Sequence, residues 1–284
     1  MKTLAHISDL HFGRIDAVVV EGLLRDLVLK QPDLIVISGD LVQRAKRRYF
    51  AEARAFLERL PFPYLVVPGN HDIPVYNILN RFIDPFRNYK RYISRDLSPF
   101  HVDAEIAVLG LNTARSVILD FSHGRINRAQ VERVREVFKE LPDGVFKVLF
   151  THHPFLPPPD APNTRLVHRH KLALPALEEA GVDMLLAGHL HKAYSGDLAT
   201  FHTGVARSIL VAQASTATST RTRNEANAYN LIAIDAPQVS VEVRGWNGTE
   251  FIHAACSTYR RSGHRWVLQE REAGIPPEML PSSP

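Results

Sequence analysis

Ile7-Ser8-Asp9-Leu10-His11-Phe12-Gly13 is the stretch that orders the rest of the chain. It closes the first apolar run, Leu4 to Ile7, and precedes the first helical pattern. A short β-run that stops at an Asp, a His and a Gly is a strand feeding a loop. Asp9 and His11 then stand at the carboxyl end of that strand, where open α/β sheets bind their ligands. An oxygen and an imidazole nitrogen at i and i+2 across such a turn converge on one point, a donor pair suited to a divalent metal. Alone the pair says little. Its weight comes from its recurrence.

Asp16 to Lys30 has helical spacing, with Val19, Leu23, Leu24 and Leu27 on one face and Asp16 as its cap. Pro32-Asp33 ends it, and Leu34-Ile35-Val36-Ile37 reads as a strand buried on both faces. That strand runs into Ser38-Gly39-Asp40. A second helix, about Arg47 to Leu60, leads to a strand at Tyr64 to Val67, which runs into Pro68-Gly69-Asn70-His71-Asp72. Asp9, Asp40 and Asn70 are thus spaced by about 30 residues, one βαβ unit, so they land side by side along one sheet edge.

Further on, Asn77 to Tyr92 reads as helical or irregular and Ile106 to Leu111 as a strand ending at Asn112-Thr113. Ile118 to Arg125 reads as a loop and Asn127 to Leu141 as an amphipathic helix. A strand at Val145 to Phe150 ends at Thr151-His152-His153-Pro154, and a long loop from Pro157 to His170 follows. A helix at Lys171 to Ala180 precedes a strand at Val182 to Leu186, which runs into Gly188-His189-Leu190-His191. After Lys192 the helical period disappears. Tyr194–Gly204, Arg207–Ala214, Tyr229–Asp235, Val239–Trp246, Glu250–Tyr259 and Trp266–Gln269 read as successive, largely antiparallel strands. The expected organisation is one domain over 1–273, with a βα half at 1–192 that carries the ligands, a β-rich half at 193–273, and a Pro-rich tail at 274–284.

The chain has 284 residues, 45% hydrophobic and 23% charged, with 34 Lys plus Arg against 30 Asp plus Glu. That length supports a large core, and the mild basic balance fits an anionic substrate without requiring nucleic acid. The single cysteine, Cys256, excludes an internal disulfide framework and suits a reducing compartment. The first residues have no long apolar run, and no stretch of about 18 apolar residues occurs. A cytoplasmic protein without a membrane span is therefore expected.

Seven metal-type side chains, Asp9, His11, Asp40, Asn70, His152, His189 and His191, recur at strand ends. Each alone fits a turn, a cap or a satisfied polar residue. Together and without metal, two carboxylates and four imidazoles are costly to desolvate. Seven donors exceed what one open ion needs and match two ions that share a carboxylate.

Asp9-x-His11, Gly39-Asp40, Gly69-Asn70-His71-Asp72, His152-His153-Pro154 and Gly188-His189-x-His191 resemble, in order and spacing, the signature blocks of the calcineurin-like metallophosphoesterases. The likeness covers roughly residues 4–192. It implies an α/β fold, a four-layer αββα sandwich of two mixed sheets flanked by helices. It also implies two divalent ions, manganese or iron with zinc as an alternative, the first held by Asp9, His11, Asp40 and His191. Asp40 would bridge, and Asn70, His152 and His189 would complete the second. His71 would contact the phosphate and protonate the leaving oxygen, and metal-bound hydroxide would attack phosphorus. Asp72 is read either as orienting His71 or as a helix cap, and His153 either as part of the pocket or as structural.

The blocks look most like the bacterial class III cyclic nucleotide phosphodiesterases, a likeness that implies a small phosphodiester substrate such as a 3′,5′-cyclic nucleotide. A pyrophosphohydrolase acting on UDP-2,3-diacylglucosamine would need an apolar cleft, whereas segments 76–100 and 155–170 are basic and Pro-rich. A repair nuclease would need a capping domain, for which few residues remain after 192. A metal-free scaffold of the same fold would be expected to have lost ligands. Arg14, His153 and Asn112 are the candidate substrate contacts, with Arg165, His168, Arg169, Arg221 and Arg223 as further basic residues near the same edge.

Overall fold

The computed structural model describes residues 1–75, 78–116, 123–200, 202, 207–220 and 225–273. The loop expected around 118–125 falls mostly outside them, as do Arg221, Arg223 and the tail at 274–284.

The first half builds two runs of parallel strands. β1 (Lys2–Ile7), β2 (Leu34–Ile37) and β3 (Tyr64–Val66) are joined by α1 (Ala17–Lys30) and α2 (Arg47–Leu57). After α3 (Ile78–Ile83) and α4 (Arg87–Tyr92) come β4 (Phe100–Val102) and β5 (Ile106–Leu111). Next are α5 (Arg128–Lys139), β6 (Phe146–Thr151), α6 (His170–Glu179) and β7 (Met184–Ala187). Caps start the helices where polar side chains invite them. Asp16 accepts from the Val18 N–H at 2.8 Å, and Asn127 and Gln130 bond reciprocally across the first turn of α5.

β8 (Tyr194–Asp197), β9 (Leu210–Gln213), β10 (Ala228–Asp235), β11 (Gln238–Trp246), β12 (Phe251–Ser262) and β13 (Arg265–Ala273) complete the chain. They do not form a sheet of their own. β10 to β13 extend the first sheet in the order β13-β12-β11-β10-β1-β2-β3, and β8 and β9 extend the second in the order β4-β5-β6-β7-β9-β8. β9 runs parallel to β7, not antiparallel as its surroundings suggested, and β8 stops at Asp197 in a 3₁₀ turn, short of the strand read to Gly204. β4 was not anticipated. It has three residues, too few for a period-2 pattern, and exists through its pairing with β5.

Three apolar layers hold this together, and strand alternation assigns residues to them. Leu4, Leu34, Val36, Ile106, Val108, Val148, Met184 and Leu186 fill the space between the sheets. Their neighbours Ala5, Ile7, Ile35 and Ile37 face α1 and α2. Ala107, Leu109, Leu149 and Leu185 face α5 and α6. Strands buried on both faces explain the unbroken apolar runs. The result is an αββα sandwich in which β1, β2, β3, β5, β6 and β7 deliver their carboxyl ends to one end of the molecule. No helix among the described residues is long and apolar enough to cross a membrane.

Candidate metal centre

Five of the parallel strands lead into candidate ligands: β1 into Asp9 and His11, β2 into Asp40, β3 into Asn70, β6 into His152, β7 into His189 and His191. The backbone there is unusual. Asp9, His11, Asp40, His189 and His191 have φ of 53°, 54°, 52°, 77° and 56°. Left-handed backbone costs a non-glycine residue about 1–3 kcal/mol and concentrates at functional sites. The loops also crowd. A Cβ at Gly69 would collide with Asp40, and one at Gly188 with Ser8 and Asp9, so glycine at both positions lets the loops close on each other.

Two groups result. Asp9, His11 and His191 converge, with His191 Nε2 3.2 Å from Asp9 Oδ1, His11 Nε2 3.6 Å from the same oxygen, and the two Nε2 atoms 3.2 Å apart. On the other side His152 Nε2 lies 3.1 Å from Asn70 Oδ1 and 3.3 Å from His189 Nδ1. Asp40 stands between, its Oδ2 3.8 Å from His11 Nε2 and 3.4 Å from His152 Nε2. All but His189 are buried.

These residues fit a cation pair on the structure's own terms. Asp9 Oδ1 is buried with no hydrogen-bond partner, while its Oδ2 takes Ser8 Oγ at 2.6 Å and the His189 N–H at 2.8 Å. A buried carboxylate oxygen aimed at two imidazole nitrogens is a ligand in want of a positive charge. His152 Nδ1 donates to the Ser38 carbonyl at 2.7 Å, which turns Nε2 toward the centre. Asp9, His11, Asp40 and His191 could hold one ion, and Asp40, Asn70, His152 and His189 the other.

The electrostatics agree. Burial pushes the Asp9 and Asp40 carboxyls up, but the imidazoles around them, His191 at Asp9 and His152 at Asp40, outweigh it and hold both below the usual carboxylate range. Burial likewise pulls His152 down, yet the Asp40 carboxylate prevails and pushes it up to about 9. His189 has less help: burial and the neighbouring His152 bring it to about 3. The site is arranged to hold positive charge between its carboxylates.

His71 sits at the rim with its ring 4.9 Å from that of His11 and its Nε2 4.0 Å from Asp40 Oδ2. Its orienting partner is Gln43, whose backbone carbonyl accepts from Nδ1 at 2.8 Å. Asp72 does not touch the ring. It accepts backbone N–H groups of Gly69 at 2.8 Å, Val42 at 3.0 Å and Leu41 at 3.3 Å, so of the two readings the cap is the one realised. Gln43 was missed because the shorter of its two contacts with Nδ1 is made by its carbonyl, which every residue has, its side-chain Nε2 lying farther off at 3.4 Å.

His153 is buried behind His152 and His189, with Thr113 Oγ1 2.7 Å from its Nδ1 and its Nε2 without a partner. Asn112 is buried in a local turn, its Oδ1 accepting the Ala114 N–H at 2.9 Å. Arg14 is exposed just beyond His11. In the long loop Arg165 lies 3.2 Å from His123, while Arg169 caps α6 in left-handed backbone. Cys256 is a free, half-buried thiol in β12.

The chain matches the family model of calcineurin-like phosphoesterases over residues 2–193. It is 28% identical over 255 residues to the cAMP/cGMP dual specificity phosphodiesterase of Mycobacterium tuberculosis, covering 81% of this chain and 75% of that one. A shorter match, 37% over 84 residues, is to the glycerophosphodiester phosphodiesterase GpdQ of Enterobacter lignolyticus, and spans 24% of this chain and 29% of that protein. Among solved structures, the purple acid phosphatase PPD1 of yellow lupin superposes with a TM-score of 0.68 at 11% identity, over 92% of this chain and 54% of that one. A dimetal phosphatase from Danio rerio gives 0.63 at 13% identity, over 88% and 98%. The fold, the matched stretch and the two-sided cluster of donors agree: this chain belongs to the calcineurin-like phosphoesterase family.

Proposed function

We propose that the chain hydrolyses small phosphodiesters with two divalent ions, manganese or iron with zinc as the alternative, and that 3′,5′-cyclic nucleotides are the substrate class to test first. The observation that carries this reading is Asp40, whose one oxygen faces His11 on one side and His152 on the other. A carboxylate so placed is built to be shared. When bound, two such ions neutralise phosphate charge and lower the pKa of water toward neutrality.

The chain's own residues supply the rest. His71, fixed through Nδ1 by the Gln43 carbonyl, presents Nε2 at the rim, where a proton can pass to the leaving oxygen of the ester. Arg14 offers a fork of donors to a phosphate arriving from solvent, and His153 backs the pocket behind His189. The relatives' names support a diester: one acts on cAMP and cGMP, another on glycerophosphodiesters. The shorter match makes glycerophosphodiesters the second reading.

Elemental analysis of protein purified without chelator, with diester and monoester assays on the same sample, tests the proposal. About two transition ions per chain with diester turnover support it, and a panel of cyclic nucleotides against glycerophosphodiesters then separates the substrates. No metal and no turnover after reconstitution with manganese would sink it and leave a scaffold of the same fold.

A further inference from the structure

Between β9 and β10 the chain crosses the open end of the sandwich as Ala214-Ser215-Thr216-Ala217-Thr218-Ser219. This segment is polar but not a surface loop. Ser215, Thr216, Thr218 and Ser219 are each at most 1% exposed. Buried hydroxyls need partners, and three of these find them on the metal loops. Thr216 Oγ1 donates to the Asp9 carbonyl at 2.7 Å, Thr218 Oγ1 to that of Leu10 at 2.9 Å, and Ser215 Oγ to that of His191 at 3.1 Å. The backbone adds Ala217 N to Ser8 O and Asp16 N to Thr218 O, both at 3.0 Å. Asn227 Nδ2 grips the strap from behind through the carbonyls of Ser219 at 2.9 Å and Thr216 at 3.3 Å.

The distribution of these bonds is one-sided. A hydroxyl has one hydrogen to give, and all three give it to the Asp9–His11–His191 side. Those three ligands all have left-handed backbone, at φ of 53°, 54° and 56°. Strained backbone persists only where its surroundings over-determine it. Across the site the backbone is mixed: the shared Asp40 and His189 are left-handed too, at φ of 52° and 77°, whereas Asn70, which opens a 3₁₀ turn after β3, and His152 are not, and none of the three hydroxyl bonds reaches the loops of Asn70 or His152.

We propose that Ser215, Thr216 and Thr218 are positioning residues that pre-form the Asp9–His11–His191 pocket and raise its affinity for a divalent transition cation over that of the neighbouring pocket. This rests on the two-ion reading above. The three hydroxyls bond backbone carbonyls; they act by holding carbonyls whose rotation would swing Asp9, His11 and His191 apart.

The test is calorimetric titration of Mn²⁺ into metal-stripped protein. Thr216→Val with Thr218→Val removes both hydroxyls with little change of shape. One of the two Mn²⁺ sites is expected to weaken by about 10–100-fold, the range for losing an outer hydrogen bond around a ligand, while the other keeps its affinity. Thr216→Ser with Thr218→Ser restores the hydroxyls and is expected to restore that site. Ser215→Ala, a smaller change on the His191 carbonyl, weakens the same site by a smaller factor and carries the test if the double valine variant fails to fold. A wild-type titration without a second site overturns the two-ion reading and this inference with it. Two wild-type sites that the folded variants leave alone, or weaken alike, overturn this inference only.

Discussion

Two of the charge clusters buried among the described residues are completed in opposite ways. Under α1, Arg244 of β11 donates to both oxygens of Asp26, at 2.7 and 2.8 Å, to Glu242 at 2.8 Å and to the Phe251 carbonyl at 2.6 Å. The Tyr229 hydroxyl adds a 2.6 Å bond to Asp26. None of this cluster's fully buried side-chain nitrogens and oxygens is left without a partner. At the metal centre Asp9 Oδ1 is left bare and imidazole nitrogens face one another. A closed cluster holds helix to sheet; an open one is a binding site that the protein alone does not satisfy. The lesson is to ask of a buried charge how much of it is unpaired, not only where it lies.

Substitutions in the two clusters should therefore dissociate. Asp40→Asn is expected to have the largest functional effect. Diester turnover should fall to background and elemental analysis should show loss of metal. The urea stability of the metal-free protein should fall by clearly less than it does for Asp26→Ala, since the strained backbone and crowded imidazoles of this site already cost stability. A metal-free variant far less stable than wild type would break the distinction. His71→Ala comes next, with kcat lower by about 10²–10⁴-fold and metal content retained, because the side chain contributes proton transfer while Asp40 is held by the backbone N–H at 2.8 Å. Loss of both ions in that variant would make His71 a ligand. In the closed cluster Asp26→Ala strands Arg244. It should cost about 3–5 kcal/mol by urea denaturation, with turnover per folded molecule unchanged.

How much of this could be read in the sequence differs between the clusters for a physical reason. The open one announces itself. Metals demand Asp, His and Asn, and parallel strands demand that they recur at strand ends about one βαβ unit apart. The candidates Asp9, His11, Asp40, Asn70, His152, His189 and His191 are visible on that ground, and apolar runs such as Leu34 to Ile37 mark strands buried on both faces, while the αββα layering was implied by the family resemblance. Asp26 and Arg244 are not visible. They are one residue each in a helix and a strand of ordinary polarity, and only the β1–β10 pairing, which joins the two halves of the chain, brings α1 over β11. The strap at Ser215 to Ser219 lay between these cases. It is rich in Ser and Thr, but short hydroxyl residues usually mean a solvated turn, and only burial tells a strap from a loop. The parallel placement of β9 escaped for a similar reason, since strand direction is set by the crossover and not by composition.

The weakest expected effect tests burial itself. Asp103 accepts from the backbone N–H groups of Glu105 at 2.8 Å and Ile106 at 2.9 Å and pairs with Lys2 at 3.0 Å, so it is as well partnered as Asp26. Partial burial raises its pKa, but those N–H groups and Lys2 outweigh it and bring it to about 2. A folded pKa below the unfolded one stabilises the protein above the unfolded value, and that gain fades as pH falls through about 2. Solvent screens this pair, whose Asp103 side chain is 29% exposed, so Asp103→Asn should cost under about 1 kcal/mol at pH 7. The difference from wild type should vanish near pH 2 in urea titrations across that range. The partners of Asp26 and Asp103 are similar in number and length. If Asp103→Asn cost as much as Asp26→Ala, the number of partners and not their removal from water would be what separates structural charges from exposed ones, and the contrast between the closed and open clusters would have to be drawn on pairing alone.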